Sequence, residues 1–289
     1  MVAVSGGVDS MVLLDVLSHV PNLVLTVAHF NHGMRADAYK DEQLVRRAAQ
    51  RYGLPFVCAK GHLGANASEA VAREARYAFL QEVQALSGAQ AIITAHHQYD
   101  VIETAIINIL RGTGRKGLSS LASTEQLLRP LLDCPKQAML AYATDHAIAW
   151  QEDSTNTSDV YTRNYVRRHI IPRLGHAGKM QLLEHIQRAK VLNNDIEDML
   201  AAELRRGTRG DGIRRGWFIQ LPYQVSAEIM ASWLRTHGIR EFDRRTIARL
   251  TTLAKVAKAG KIVDINAGFL LKVEKATCRI TQATTLKTE

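Results

Sequence analysis

Ser5-Gly6-Gly7-Val8-Asp9-Ser10 decides the reading of this 289-residue chain. It lies between a short apolar run, Val2–Ser5, and a stretch of helical period. The apolar face of that stretch is Met11, Leu14 and Leu17, or Val12, Val16 and Val20. Two glycines let the backbone turn tightly and come close to a ligand. The helix that follows presents free N–H groups and the positive end of its dipole to an anion. Ser5 and Ser10 add hydroxyl donors. The loop lacks the lysine of G-x-x-x-x-G-K-[ST], so it is not the ordinary nucleotide-hydrolase loop. Asp9 beside a phosphate makes sense when a cation such as Mg²⁺ lies between them. A Gly-rich turn with no ligand is the plain alternative.

Outward from the loop, strand and helix patterns alternate. Leu23–Phe30, Phe56–Lys60 and Ala91–Ala95 are further apolar runs rich in Val, Ile or Leu, as buried parallel strands are. Between them lie helical segments: Ala67–Leu86, with Ser68 as its cap, and one after Asp100 with Ile102, Ile106, Ile109 and Leu110 inward. The pattern predicts an α/β fold, a parallel sheet with helices on both faces. Its ligands lie beyond the carboxyl ends of the strands. Pro135 opens another helix, running to about His146. Gly178 to Arg206 reads as one long helical stretch and Gly207–Gly216 as a loop or linker. Residues 217–289 form a small mixed α/β domain, closing on strands at Ile262–Ile265 and Phe269–Val273 around an Asn266-Ala267-Gly268 turn. The expected organisation is a catalytic domain over residues 1–174, a helical connector over 175–206 and a basic domain over 207–289.

Composition excludes several classes. At 46% hydrophobic and 22% charged the chain buries a core and is not a disordered polymer. No uncharged apolar run approaches the roughly 18 residues of a membrane span, and no leader precedes the first strand, so no membrane partner is expected. Cys58, Cys134 and Cys278 are far apart with no C-x-x-C pair, which excludes a disulfide framework or zinc ribbon and fits a cytoplasmic protein. The net charge, 37 − 28 = +9, is unevenly divided. Residues 1–150 carry 13 basic and 13 acidic side chains; residues 151–289 carry 24 and 15, the whole excess. That asymmetry points to a polyanionic partner held by the second half, against the plain reading of a basic soluble surface.

Further segments narrow the reading. They are His29-Phe30-Asn31-His32-Gly33-Met34-Arg35, Arg76-Tyr77-Ala78-Phe79-Leu80, and Thr94-Ala95-His96-His97-Gln98-Tyr99-Asp100-Val101-Ile102-Glu103-Thr104. Arg111-Gly112-Thr113-Gly114-Arg115-Lys116-Gly117-Leu118, Arg129-Pro130-Leu131-Leu132, and Asp153-Ser154-Thr155-Asn156 followed by Arg163-Asn164 complete the series. The opening loop resembles that of the pyrophosphate-loop ATPases, which cleave ATP between its α and β phosphates. The whole series, over roughly residues 2–174, resembles the tRNA(Ile)-lysidine synthetases. Tyr99 and Val101 depart from the family pattern, which often has Asp and Gln there. The family usually has a longer lead-in, so either a clipped first strand or a misplaced start is expected, and the C-terminal domain is short beside its longer members.

The resemblance implies a ligase. ATP adenylates the wobble cytidine of an isoleucine tRNA with a CAU anticodon, releasing pyrophosphate; free L-lysine then displaces AMP. It assigns ATP to Ser5, Gly6, Gly7, Val8, Asp9 and Ser10, with Mg²⁺ on Asp9. Asp100 and Glu103, three apart at a helix start, project on one face at the mouth of the sheet and would hold a cationic amino acid. A cap and a first-turn dipole partner are their alternative roles. Arg76 is implied as a contact for the lysine carboxylate or for the substrate, or else a surface partner of Glu69, Glu74 or Glu82. His32 and Arg35 would bind phosphate or neutralise charge during adenylation; His29 is either a neighbour of the nucleotide or a strand-end structural histidine. Asp9, His32, Arg35, Asp100 and Glu103 thus form the expected catalytic set. His96 and His97 have no further Cys/His companions for zinc. Arg115 and Lys116, with Arg163, Asn164, Arg167 and Arg168 on a basic helical face, are the expected tRNA contacts. A homodimer is left open. The rivals are a sulfur-transferring tRNA enzyme of the same superfamily, a small-molecule amide synthetase and a catalytically dead RNA-binding protein.

Overall fold

The computed structural model describes residues 1–33, 37–61, 68–152, 162–239, 242–266 and 268–282. The chain divides into two compact units, Met1–Lys190 and Val191–Glu289.

The first unit is built on five parallel strands, β1 (Val2–Ala3), β2 (Val27–Asn31), β3 (Phe56–Lys60), β4 (Ile92–Ile93) and β5 (Leu127–Leu128), in the order β3-β2-β1-β4-β5. Val2 pairs with Val27 on one side and Ile93 on the other. Helices α1 (Val8–Ser18), α2 (Ala38–Arg51), α3 (Glu69–Ser87), α4 (Gln98–Leu110), α5 (Arg115–Leu118) and α6 (Lys136–Asp145) follow the strands. Alternation along each strand sends side chains to opposite faces. Val2, Val27 and Ile93 join Leu14 of α1, Val45 of α2 and Ala143 of α6 in one core. Ala28 and Ile92, with Ala3 beside them, meet Leu80 and Val83 of α3 in another. Both faces are therefore covered, as the apolar runs predict. The strand order reverses between β1 and β4, and a crevice opens at their carboxyl ends.

Local chemistry fixes the helices that border that crevice. Ser68 caps α3, accepting from the Val71 N–H at 3.3 Å. Asp15 of α1 accepts from Tyr52 at 2.6 Å and from Tyr142 at 2.9 Å, so one carboxylate ties α1 to the end of α2 and to α6. Burial and Asp15 push the Tyr52 hydroxyl up to about 12. The basic segment is less regular than its spacing suggests. After α7 (Thr162–Tyr165) a π-helical turn spans Val166–Ile170 and a 3₁₀ turn spans Ile171–Leu174, and Val166 and Ile171 pack on Ile102, Ile106 and Ile107 of α4. Helix α8 (Gly175–Gly207) comes next.

The second unit holds an antiparallel sheet, β6 (Thr208–Arg209), β7 (Gly212–Arg214), β8 (Ile262–Asn266), β9 (Phe269–Val273) and β10 (Thr277–Gln282), in the order β6-β7-β10-β9-β8. Phe218 of α9 (Arg215–Gln220), Trp233 of α10 (Tyr223–Thr236) and Leu250 of α11 (Arg244–Val256) fill its core with Leu271. Gly207–Gly216, read as a loop or linker, contains the β6–β7 hairpin. The Gly and Arg content hides two very short strands whose register is set by pairing to β10. No helix of the described residues is long and apolar enough to cross a membrane.

Candidate functional site

A cavity of about 500 Å³ lies at the β1–β4 reversal. It is lined by Ser5, Gly7, Asp9 and Ser10 from the loop after β1, and by His29, Asn31 and His32 at the end of β2. Arg76 of α3, His96 and Asp100 after β4, and Arg163, Asn164 and Arg167 complete the wall.

The loop is held by its own side chains. Ser10 Oγ accepts from the Ser5 and Gly6 N–H groups at 3.1 and 3.2 Å and donates to the Gly7 carbonyl at 2.9 Å. Gly6 has φ +98°, and a Cβ there would lie 3.2 Å from Cβ of Asp41, so both conformation and space require glycine. No side chain caps α1, which leaves its first N–H groups to the crevice. Gly6 and Val8 do not line the cavity; Val8 is buried in the core beneath it.

Asp9 faces the cavity and is bound by Lys136, whose Nζ lies 2.6 and 2.7 Å from its two carboxylate oxygens. Lys136 was not foreseen in the sequence. One signal was present: a cation on the first residue of α6 opposes that helix's dipole and needs an outside partner. His97 is the N-cap of α4. Its Nδ1 accepts from the Tyr99 N–H at 3.1 Å, which leaves the ring proton on Nε2, 3.6 Å from Asp9 and 3.7 Å from Asp100. Asp100 accepts from the His97 N–H at 2.8 Å, so it both caps the helix and lines the cavity. Tyr99 accepts from Gln137 Nε2 at 3.0 Å, joining α4 to α6.

Glu103 is fully buried and does not line the cavity. Arg167 stands before it, with Nε 2.5 Å from Oε1 and Nη2 3.0 Å from Oε2; Arg163 Nε is 3.7 Å from Oε2. Burial pushes the Glu103 carboxyl above its ordinary range, and the Arg167 hydrogen bond opposes that shift. The segment around Arg167 contains no acid, yet in space Glu103 meets both Arg163 and Arg167. Arg168 is exposed. Burial likewise lowers His29 and His97 and brings His96 down to about 4; His96 Nδ1 lies 2.9 Å from Thr94 Oγ1.

The structure thus gathers Ser5, Gly7, Asp9, Ser10, His32, Arg76, Asp100, Arg163, Asn164 and Arg167 on one wall. Arg115 and Lys116 lie outside it, on a turn braced by Asn108 Nδ2 to the Gly117 carbonyl at 2.7 Å. Arg35 and Asp153–Asn156 lie outside the described residues. Among the described residues no three His, Cys, Asp or Glu side chains converge on a metal position. A hard cation at the loop would have the Asp9 carboxylate, with phosphate oxygens and water as its other ligands. That donor set suits Mg²⁺.

The PP-loop domain family matches residues 1–174. The chain is 36% identical to a tRNA(Ile)-lysidine synthase of Geobacter sulfurreducens over 221 residues, 71% of this chain and 47% of that protein. It is 33% identical to one of Ralstonia nicotianae over 276 residues, 89% and 59%. A third, from Exiguobacterium sibiricum, is 38% identical over 179 residues, 60% and 43%. The chain spans about half the length of these curated relatives. Among solved structures, the U34-tRNA thiolase NcsA from Methanococcus maripaludis with its [4Fe-4S] cluster has TM-score 0.54 and 18% identity, covering 65% of this chain and 70% of that one. At that identity the likeness is one of fold.

Proposed function

The chain belongs to the PP-loop domain family, and from that premise we propose that it ligates free L-lysine to the wobble cytidine of a CAU-anticodon tRNA(Ile) at the expense of ATP. The observation that carries this reading is the shared cavity. The loop that would take the triphosphate and the Asp100–Arg76 wall that would take an amino acid face one space, so activation and capture can occur without transfer.

The uncapped N–H groups at the start of α1, with Ser5, hold the phosphates on a loop that Ser10 braces, and Asp9 is the residue that would hold Mg²⁺. Bound there, Mg²⁺ supplies neutralising charge for the triphosphate. The cytidine carbonyl oxygen attacks the α phosphorus and pyrophosphate leaves. The lysine amine then attacks the activated ring carbon, and AMP departs with the carbonyl oxygen. Asp100 attracts the cationic side of lysine, Arg76 its carboxylate, and His32 and Arg35 the charge that builds on phosphate; Glu103, expected beside Asp100, is buried behind Arg167 and holds that side chain instead. Arg115, Lys116, Arg163, Asn164, Arg167 and Arg168 contact the tRNA from the catalytic side, and residues 207–289 extend the basic footprint. Such an enzyme works in the cytoplasm. A sulfur-transfer reading has less support, since the three cysteines of the chain include no close pair in sequence.

The test is direct. Incubation with ATP, labelled lysine and a tRNA(Ile) transcript, followed by digestion, should yield a labelled nucleoside. An unlabelled digest, with pyrophosphate nonetheless released, would sink the lysine assignment.

A further inference from the structure

The loop after β1 has no lysine of its own, yet an ammonium lies beside it. Lys136, the first residue of α6, is 127 residues from Asp9 in sequence, and its Nζ lies 2.6 and 2.7 Å from the two carboxylate oxygens. The backbone around Lys136 is fixed by its neighbours. The Gln98 N–H donates to the Cys134 carbonyl at 3.2 Å, Gln137 Nε2 donates to the Tyr99 hydroxyl at 3.0 Å, and Met139 and Ala143 pack with α1 in the core. What can move is the side chain. It is 27% exposed, and that of Asp9, which lines the cavity, is 25% exposed, so neither is sealed from solvent.

A pair that only braces the fold is the plain alternative, and it has little to add. The Asp15–Tyr142 hydrogen bond at 2.9 Å and the shared core already join α1 to α6, and part-exposed ion pairs stabilise weakly. Lys136 also opposes the dipole of the helix it begins, where Pro135 provides no side-chain cap. Asp9 is the carboxylate that would hold Mg²⁺, and an ammonium this close repels a dication on the same group. Phosphate oxygens on that cation would be the nearest new acceptors for the ammonium. Lysine, a point charge on a flexible four-carbon stem, suits such a change of partner. We propose that Lys136 is the phosphate-binding lysine the loop itself lacks: Asp9 holds it until Mg²⁺ and the triphosphate arrive together, and it then bonds a phosphate oxygen. One ion pair is exchanged for another and no covalent bond changes. The inference rests on the ATP and Mg²⁺ readings above but not on the lysine or tRNA assignments.

The measurement is equilibrium binding of ATP without tRNA or free lysine, once with Mg²⁺ and once with EDTA. It compares wild type, Asp9→Asn, Lys136→Met and the double variant, with thermal unfolding in parallel as the check on folding. Asp9→Asn releases Lys136, so in EDTA this variant should bind ATP about tenfold more tightly than wild type. Adding Lys136→Met should remove that gain. With Mg²⁺, Lys136→Met alone should bind ATP about tenfold more weakly than wild type. A lysine that serves only to neutralise Asp9 has no duty left once Asp9 is replaced. If Lys136→Met then leaves ATP binding unchanged in the Asp9→Asn background, the proposal is overturned. It is overturned equally if Lys136→Met binds ATP with Mg²⁺ as tightly as wild type does. Should Lys136→Met not fold, Lys136→Gln, which keeps an N–H donor for Asp9 and loses the charge, takes its place with the same expectations. If wild-type protein binds no ATP even with Mg²⁺, the nucleotide reading falls first and this inference with it.

Discussion

Arg167 makes two hydrogen bonds to Glu103, a residue with no exposed surface, while its own side chain remains 38% exposed. The two partners are unequal. Glu103→Gln leaves a guanidinium that water can reach. Arg167→Met leaves a buried carboxylate without its two charge-assisted hydrogen bonds and with Arg163 Nε at 3.7 Å as the remaining cation, and should cost about 2–3 kcal/mol at neutral pH. Because burial holds the folded Glu103 carboxyl above its unfolded value, its stabilising contribution is present at low pH and lost as pH rises through the folded pKa. Glu103→Gln should therefore change neutral-pH stability by no more than about 1 kcal/mol and flatten that limb of the profile. Urea unfolding of both variants from pH 4 to 8 checks the asymmetry. Equal losses would show that the pair, and not the buried carboxylate, is what matters.

Asp100 lines the cavity and Glu103 lies behind Arg167, so the lysine requirement should be more sensitive at Asp100. Asp100→Asn keeps an acceptor for the His97 N–H and removes one charge. In a partly desolvated site that loss is about 1.5–3 kcal/mol, a tenfold to hundredfold rise in the lysine needed. Pyrophosphate release measured without lysine should change little. Should it fall in step with lysidine formation, Asp100 belongs to the ATP half of the site.

Asp9→Asn should abolish AMP formation, and Lys136→Met should reduce it at least tenfold, the loss expected when one charge-assisted contact goes. Neither change should alter tRNA affinity, because Asp9 faces the cavity beside the loop after β1 and Lys136 is bound to it. Filter binding of tRNA beside AMP chromatography is the readout. Equal loss of tRNA binding would make the Asp9–Lys136 pair a support of the fold.

Burial lowers His29, His96 and His97, His96 to about 4, which favours the uncharged ring of each near neutral pH. Pyrophosphate release should show no limb from these three histidines near neutral pH. The sign for stability is the reverse of a salt-bridged histidine: the contribution is present above the unfolded value of 6.5 and is lost as pH falls toward about 4 for His96. His96→Asn should flatten the acid limb of thermal unfolding between those values. An unchanged limb would place the titrating group elsewhere.

The residues beyond position 150 carry the whole charge excess, so tRNA affinity should fall steeply with salt. Arg168 is exposed whereas Arg167 is committed to Glu103. Arg168→Ala should reduce the log–log salt slope by about one, and Arg167→Ala by less. A larger effect at Arg167 would mean that tRNA draws it off Glu103.

The parallel sheet was legible because strands buried on both faces read as apolar runs, and the loop after β1 because glycine and hydroxyl side chains are scarce chemistry for a turn. β5 was not legible. Leu127–Leu128 is two residues long and exists by pairing to β4, with no period of its own. The site was legible where a residue acts next to its own strand end, as Ser5–Ser10 and Asp100 do. It was illegible where meaning comes from a distant partner. Lys136 lies 127 residues from Asp9, and Arg167 lies 64 from Glu103. In sequence Arg167 has only basic and apolar neighbours, so its inward turn follows from the packing of Val166 and Ile171 on α4.

The Lys136–Asp9 contact also sets the electrical character of the crevice. A bare glycine loop at a helix start gathers any anion. Here the loop's carboxylate cancels the nearest ammonium, and Arg167 is likewise spoken for, so these pairs add no net charge before a ligand arrives. Selection among anions then rests on shape and directed N–H groups instead of long-range attraction. Ionic strength becomes a means of telling the two substrates apart: the nucleotide should bind almost as well in concentrated salt as in dilute, under conditions that strip the polynucleotide away.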